Sequence, residues 1–355
     1  VRKRTISRIV DATGEAFMTG EGRRIVPRRR QGLKIIFELT NLCNFSCTHC
    51  IRSEDGGKSY LSLDIVDTVL EQVERYEAVD TVAFTGGEPT LHPQFDLIVQ
   101  KVVDAGYRFN FVTNAWSFTR TLEILLPVKE HVQAVSFSLD GASEEIHDGI
   151  RRRPGSYRRV MQGITLCHHH GLNAQINMTV TTSNRHEVQE MALLAARLGL
   201  AGVGYAHCQP TPDGLHAGLV MNASERLELE AEIADLQRMM RIPLFLAGDH
   251  HDRSPVFQCQ QLLMREFNVD YRGCLTACCT LSNYRGGKED TDVIADLNEV
   301  SFYEAHRRLA AKVAEINALK IRSVERGSVT DVDRFICSAC LKHYEKVPDL
   351  DTILS

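Results

Sequence analysis

The 355-residue sequence predicts an α/β fold: a partial barrel of six strand–helix units followed by a smaller, cysteine-rich C-terminal part. Three observations carry this. Short apolar runs alternate with amphipathic stretches six times between residues 33 and 207. Three cysteines, Cys43, Cys47 and Cys50, follow the first strand as C-x3-C-x2-C. Six more, at 259, 274, 278, 279, 337 and 340, come after the alternation stops near residue 222. The chain thus divides into an N-terminal arm (1–32), a barrel (33–222) and a C-terminal extension (223–355).

The elements follow in order. KIIFELT (34–40) is the first strand. Ser62 caps a helix whose apolar positions, Ile65, Val66, Val69, Leu70 and Val73, share one face. TVAFT (81–85) is the second strand, with a helix from Phe95 to Ala105 after it. FNFVT (109–113) and AVSFSLD (134–140) are the third and fourth strands. A helix from Ser156 to His170 ends at Gly171. AQINMTV (174–180) is the fifth strand, a helix runs from His186 to Leu198, and GVGYAH (202–207) is the sixth strand. Further on, helices are expected over 223–240 and 301–319, separated by the loop AGDHHDRSP and a cysteine-bearing stretch over 259–279. FICSACLKHY (335–344) closes the series. In folds of this class the loops at the C-terminal ends of the strands carry the chemistry.

Composition excludes several function classes. Apolar residues make up 43% and charged residues 25%, the balance of a globular chain with a full core. The net charge, 41 − 46 = −5, supplies no strong field toward nucleic acid or an anionic membrane, so neither is expected as a partner. Arg23, Arg24, Arg28, Arg29 and Arg30 read as a solvated arm, with docking of an anionic partner as the alternative. The charged N-terminus lacks the apolar stretch of a signal peptide. The most apolar long window, 191–206, is broken by Arg197 and three glycines and reads as core rather than as a membrane span. Eleven cysteines, an odd number, without a secretory signal suit a reducing, cytoplasmic setting where thiols serve metals or catalysis.

Three thiolates on one loop are a metal centre with one position open. A structural zinc site wants four ligands, and soft thiolates select zinc or iron–sulfur clusters. Three further pieces stand at successive strand ends: FTGGEPTLHP (84–93), VTNA (112–115) and SLDGASEEIHDGIRRRPGSY (138–157). Together with C-x3-C-x2-C, this series resembles the radical S-adenosylmethionine (radical SAM) superfamily over roughly residues 33–210.

The resemblance implies a 4Fe-4S cluster on Cys43, Cys47 and Cys50, with SAM chelating the open iron. One electron then cleaves SAM to a 5′-deoxyadenosyl radical, which takes a hydrogen atom from an unactivated carbon. It also implies that Gly86, Gly87 and Glu88 meet the SAM ammonium group. Asn114, Ser138 and Asp140 make polar contacts to the cofactor, and Arg151 meets its carboxylate. Two positions depart from the pattern. His49 stands where an aromatic residue usually lies near the adenine, and Arg152 replaces a glycine.

The C-terminal cysteines resemble the shortened auxiliary-cluster (twitch) form of the family's SPASM module. The implied ligands of a second, closed 4Fe-4S cluster are Cys259, Cys278, Cys337 and Cys340, and Cys274 or Cys279 could replace Cys278. A zinc ribbon is the alternative. Cys167 and Cys208 read as small buried residues, although Cys208, at the end of the sixth strand, could line a pocket. His168, His169 and His170 complement a helix dipole, and His250 and His251 read as a solvated turn. Tyr205 and His207 share a parity on the sixth strand. They are catalytic candidates if that face looks inward, and a packed pair if it does not.

The implied activity is that of a radical SAM oxidoreductase acting on a small polar metabolite such as an aminocyclitol or a sugar, with the auxiliary cluster as electron acceptor. A flavodoxin or ferredoxin would supply the reducing electron. The alternative is a peptide maturase that forms a thioether or carbon–carbon crosslink; residues 1–33 are too few for a fused leader-binding domain, which weighs against it. A non-catalytic iron–sulfur or zinc protein is the third possibility.

Overall fold

The computed structural model describes residues 32–52, 57–74, 79–347 and 349–355, together with the backbone at 17–18 and 24–25. In the N-terminal unit, strands β1 (Phe17–Met18) and β2 (Arg24–Ile25) pair antiparallel. Of the basic cluster, Arg24 lies on β2, while Arg23, Arg28, Arg29 and Arg30 lie outside the described residues.

All six expected strands form: β3 (Leu33–Glu38), β4 (Val79–Thr85), β5 (Arg108–Thr113), β6 (Val132–Ser138), β7 (Ala174–Val180) and β8 (Val203–His207). They pair in chain order and in parallel, as crossover helices require. Helix α1 (Leu63–Val73) begins where Ser62 Oγ accepts the Ile65 N–H at 3.2 Å, and all five predicted apolar positions are buried. Helices α2 (Phe95–Asp104), α3 (Phe118–Leu125), α4 (Glu144–Arg151), α5 (Ser156–His170) and α6 (Val188–Arg197) follow. Helix α5 ends at Gly171 with φ +74°, as its sequence predicts. Helices α3 and α4 were not expected. The buried face of α4 consists of His147, Ile150 and Arg151, so it carries no apolar stripe to read.

Each strand alternates between two environments. Phe37, Phe84, Phe109, Phe111, Phe137 and Ile176 are fully buried beneath the helices. The opposite face presents Thr85, Asn110, Ser136, Gln175, Asn177 and other small or polar side chains to a cavity. The core therefore lies outside the curled sheet, and the concave side is left for a ligand.

Helices α7 (Pro212–His216) and α8 (Ala223–Met239) lead on from β8. The sheet then extends past the six units at both edges. Strand β9 (Leu244–Gly248) pairs parallel with β8, and β10 (Glu266–Val269) pairs parallel with β3. Strands β11 (Cys274–Thr276) and β12 (Val293–Asp296) add antiparallel beyond β10, giving ten strands in one sheet. These four are only three to five residues long and have no period to detect. Helix α9 (Phe302–Glu325), longer than expected, docks on α1, where the Gln72 side chain accepts the Phe302 N–H at 2.7 Å. Helices α10 (Ile336–His343) and α11 (Leu350–Leu354) complete the chain. Among the described residues no helix is long and apolar enough to cross a membrane.

Candidate functional site: a chamber between two cysteine groups

The first group sits on the loop after β3, and backbone contacts hold that loop. The N–H groups of Gly87 and Glu88 donate to the carbonyls of Thr40 and Leu42, each at 2.7 Å. A Cβ on Gly86 would lie 2.4 Å from the Thr40 oxygen, and one on Gly87 would lie 2.0 Å from the Leu42 oxygen. Glycine is thus required here for the close approach of the GGEP turn to the cysteine loop itself. The buried Glu88 carboxylate accepts from Thr90 Oγ1 (2.7 Å), Thr113 Oγ1 (2.9 Å) and the Asn114 N–H (2.7 Å). Burial pushes its carboxyl up, against these hydrogen bonds. Both oxygens are engaged by protein, and their direct effect is to set Asn114. The Asn114 amide in turn donates to Asn44 at 2.7 Å and lies 3.9 Å from Cys43 Sγ.

Behind the loop lies a buried charge network. Asp140 Oδ2 is 2.7 Å from His49 Nε2 and 2.6 Å from Arg151 Nε, and Oδ1 accepts the Thr179 N–H at 2.9 Å. Burial opposes the Asp140 charge, but Arg151 and His49 outweigh it and hold the carboxyl well below the usual range. Arg151 also reaches Cys47 Sγ at 3.7 Å. The network therefore places a cation, itself neutralised from behind, against one of the three sulfurs. His49, expected near the adenine, is tied to Asp140 and lines the cavity next to the cysteine loop. His147 Nδ1 accepts the Asp140 N–H at 3.0 Å, and burial, with Arg151 nearby, pushes its imidazole down to about 4. Of the two adjacent arginines, Arg151 is the one at the site. Arg152 ends α4 with φ +51°, a left-handed position where glycine would be at ease.

The second group lines a cavity of about 740 Å³. Its wall includes Cys259, Cys278, Cys279, Cys337 and Cys340, but not Cys274, which lies on β11 with its N–H on Asp270. Cys278 and Cys279 both line the cavity while Cys274 does not, so the wall favours one of these two neighbours over Cys274. Among the described residues no three His, Cys, Asp or Glu side chains close on a point that would hold a single ion. The sulfurs border a space, and soft thiolates in this number suit an iron–sulfur cluster or zinc. Burial pushes Cys340 up to about 12, so it becomes a thiolate only when a bound cation compensates it. The residues present therefore fit both implied clusters.

The first group opens on a second cavity of about 380 Å³, whose wall includes Cys43, Cys47, Cys50, Asn114, Ser138 and Arg151. Thr85, Val112, Asn177, Ala247, Cys279 and Cys337 border both cavities. The two spaces thus adjoin, and the smaller is a chamber bordered by members of both cysteine groups, Cys43, Cys47 and Cys50 on one side and Cys279 and Cys337 on the other.

The strand-six candidates separate. Tyr205 is fully buried outside the chamber, its hydroxyl donating to the Val188 carbonyl at 3.0 Å, because β8 turns Gly204 and Ala206 inward. The inward-facing expectation fails for Tyr205. His207, at the strand end, reaches the chamber wall with Nε2 3.0 Å from Glu230 Oε1. Cys167 and Cys208 are packed residues. The loop at His250 and His251 is not a free turn: residues 250–252 pair with 334–336, and His250 borders the larger cavity.

Two charged pairs had no sequence signal. Glu38, the last residue of β3, accepts from Arg52 (3.1 Å), Asn268 (2.8 Å) and Ser282 (3.0 Å). Arg52 also donates to the Ser282 carbonyl, and the Arg285 N–H donates to the Ile51 carbonyl at 2.7 Å. These contacts strap the first cysteine loop to the Cys278–Cys279 segment. The second pair, Arg226 and Asp249, lies behind Cys337.

Comparison with known proteins bears on the barrel and its cysteine loop. An AdoMet-dependent heme synthase of Methanosarcina barkeri is 31% identical over 188 residues, 51% of this chain and 52% of that protein. The antilisterial bacteriocin subtilosin biosynthesis protein AlbA of Bacillus subtilis is 30% identical over 175 residues, 49% of this chain and 39% of that protein. The chain thus spans about half the length of the curated relatives it matches. The solved structure of anSMEcpe with bound AdoMet superimposes with a TM-score of 0.62 at 15% identity, covering 81% of this chain and 80% of that one. The same protein has been solved with a Kp18Cys peptide as well. The model of the radical SAM superfamily matches residues 37–195, the span that holds the cysteine loop, the GGEP turn and Arg151. Those residues are a radical SAM superfamily domain.

Proposed function

We propose that the protein is a radical SAM oxidoreductase whose substrate sits between the two cysteine groups, loses a hydrogen atom at the first and an electron to the second. The observation that carries this is the chamber bordered by members of both groups. Cys43, Cys47 and Cys50 would hold the first cluster, and Cys259, Cys278, Cys337 and Cys340 the second. Bound there, SAM and the first cluster supply a 5′-deoxyadenosyl radical, and the second cluster supplies a one-electron acceptor. The chain's own residues do the rest. Arg151 and Asn114 face the first sulfurs, and Arg151 is positioned to receive a carboxylate. When a hydroxyl-bearing carbon becomes a carbonyl, one hydrogen atom, one electron and one proton leave. His207, oriented by Glu230, is the proton acceptor we assign. Reducing electrons come from a flavodoxin or ferredoxin.

An aminocyclitol or sugar fits this chemistry. A peptide substrate is the second reading, and two observations favour it. The larger cavity is roomy for a monosaccharide, and its wall carries neutral amides, Asn110, Gln175, Asn177 and Gln258, that match peptide groups. One relative is named for bacteriocin biosynthesis, and the anSMEcpe structure holds a peptide. The test is anaerobic turnover with site-deuterated sugars and peptides. Label in 5′-deoxyadenosine identifies the carbon attacked and the substrate class. Absence of 5′-deoxyadenosine under reducing conditions would leave only a non-catalytic metal protein.

A further inference from the structure

Helix α10 carries Cys337 and Cys340, and its own N-cap residue, Phe335, has no side chain able to accept a hydrogen bond. The cap comes from 88 residues away. Asp249, just past β9, is fully buried and adopts a left-handed backbone with φ +50°. Its Oδ1 accepts the N–H groups of Cys337 and Ser338, each at 2.8 Å. Its Oδ2 accepts from Ser338 Oγ (2.9 Å), Gln209 Nε2 (3.2 Å) and Arg226 Nη1 (2.5 Å). Arg226 is fully buried too. It donates to the carbonyls of Met221 and Cys208, both at 3.1 Å, and its guanidinium lies 5.4 Å from the Phe335 ring.

A buried charge is tolerated only when paired and fully hydrogen-bonded, and here both members are. The pair is also asymmetric. The anion touches the backbone of Cys337, while the cation faces the ends of β8 and the start of α8. An anion fixed beside a metal-ligating residue makes each added electron less favourable, most of all in a low-dielectric interior.

We propose that Asp249, held by Arg226, is a positioning residue of the second cysteine centre that orients Cys337 and lowers that centre's reduction potential. This rests on the reading that the second group holds a redox-active cluster. It would let the centre return its electron to the external carrier after each turnover instead of trapping it.

The test is an EPR-monitored redox titration of the full, reconstituted chain, with iron content and thermal unfolding measured in parallel. In Asp249→Asn, the second centre should keep its iron and shift to a more positive potential, because the buried Arg226 charge is left unbalanced. In the double variant Asp249→Asn/Arg226→Gln, most of that shift should disappear as neutrality returns. Ser338→Ala keeps the carboxylate and removes one donor to it, so the potential should move the other way, to more negative values; this variant carries the test if Asp249→Asn does not accumulate as folded protein. A purely architectural cap predicts loss of iron or of thermal stability with no movement of the potential in the clusters that remain. An unmoved potential in Asp249→Asn, or in Ser338→Ala, overturns this inference alone. A second group that takes up only zinc overturns both it and the reading beneath it.

Discussion

The two cysteine groups face one chamber but are built in opposite ways. The first occupies eight consecutive residues, Cys43 to Cys50, held by backbone hydrogen bonds to the GGEP turn and flanked by a guanidinium and an amide. The second is gathered from segments near 259, 278 and 337, where the Asp249 carboxylate caps the Cys337 backbone and two cations, Arg52 and Lys320, donate to the carbonyls of Ser282 and Phe257. Local construction leaves Cys43 exposed, Cys50 half-buried and Cys47 buried, and three thiols on one loop offer one ligand fewer than a closed four-coordinate site. Long-range construction brings the second group together from distant segments around the larger cavity.

Substitutions at each group test this contrast. The largest effect is expected at the ligands. Cys47→Ala should reduce 5′-deoxyadenosine to background, measured by chromatography of anaerobic reactions. Cys337→Ala should keep SAM cleavage and lose the oxidised product, and full turnover in that variant would remove the acceptor role from the second group. Next comes the buried pair. Arg226→Met leaves Asp249 uncompensated and should lower stability by about 3–5 kcal/mol in urea melts of the metal-free protein. Gly87→Ala forces a Cβ onto the Leu42 carbonyl. It should cost about 1–3 kcal/mol in the same melts and displace the first loop while sparing the second group, so SAM cleavage falls although the second cluster is retained.

The smallest effect tests the frame behind Arg151. Asp148 accepts from the Ser156 hydroxyl (2.7 Å) and the Tyr157 N–H (2.8 Å) at the start of α5. Burial slightly opposes its charge, but these bonds hold its carboxyl below the usual value. Its contribution is therefore present above the ordinary aspartate pKa and is lost as pH falls through that range. Asp148→Ala should cost about 1 kcal/mol near neutrality, and the gap from the parent protein should close as the pH is lowered below about 4.

The same contrast explains what could be read in advance. The six strands, the cap at Ser62, the stop at Gly171 and the first cysteine loop rest on patterns within a few residues of each other. The exclusion of Cys274, the outward turn of Tyr205, the tie from His49 to Asp140 and the Asp249 cap do not. Each depends on which distant segment arrives, and no local period encodes that.

What the amino-acid sequence determined by itself was the strand–helix alternation and the open three-cysteine loop, because periodicity and short spacing act through neighbouring backbone. Only the tertiary structure decided that β9 and β10 extend the sheet at its two edges and that both cysteine groups border one space. It also placed buried Asp249 against Cys337. Those outcomes come from burial and charge pairing between segments far apart in the chain, where a side chain's partner is chosen by packing.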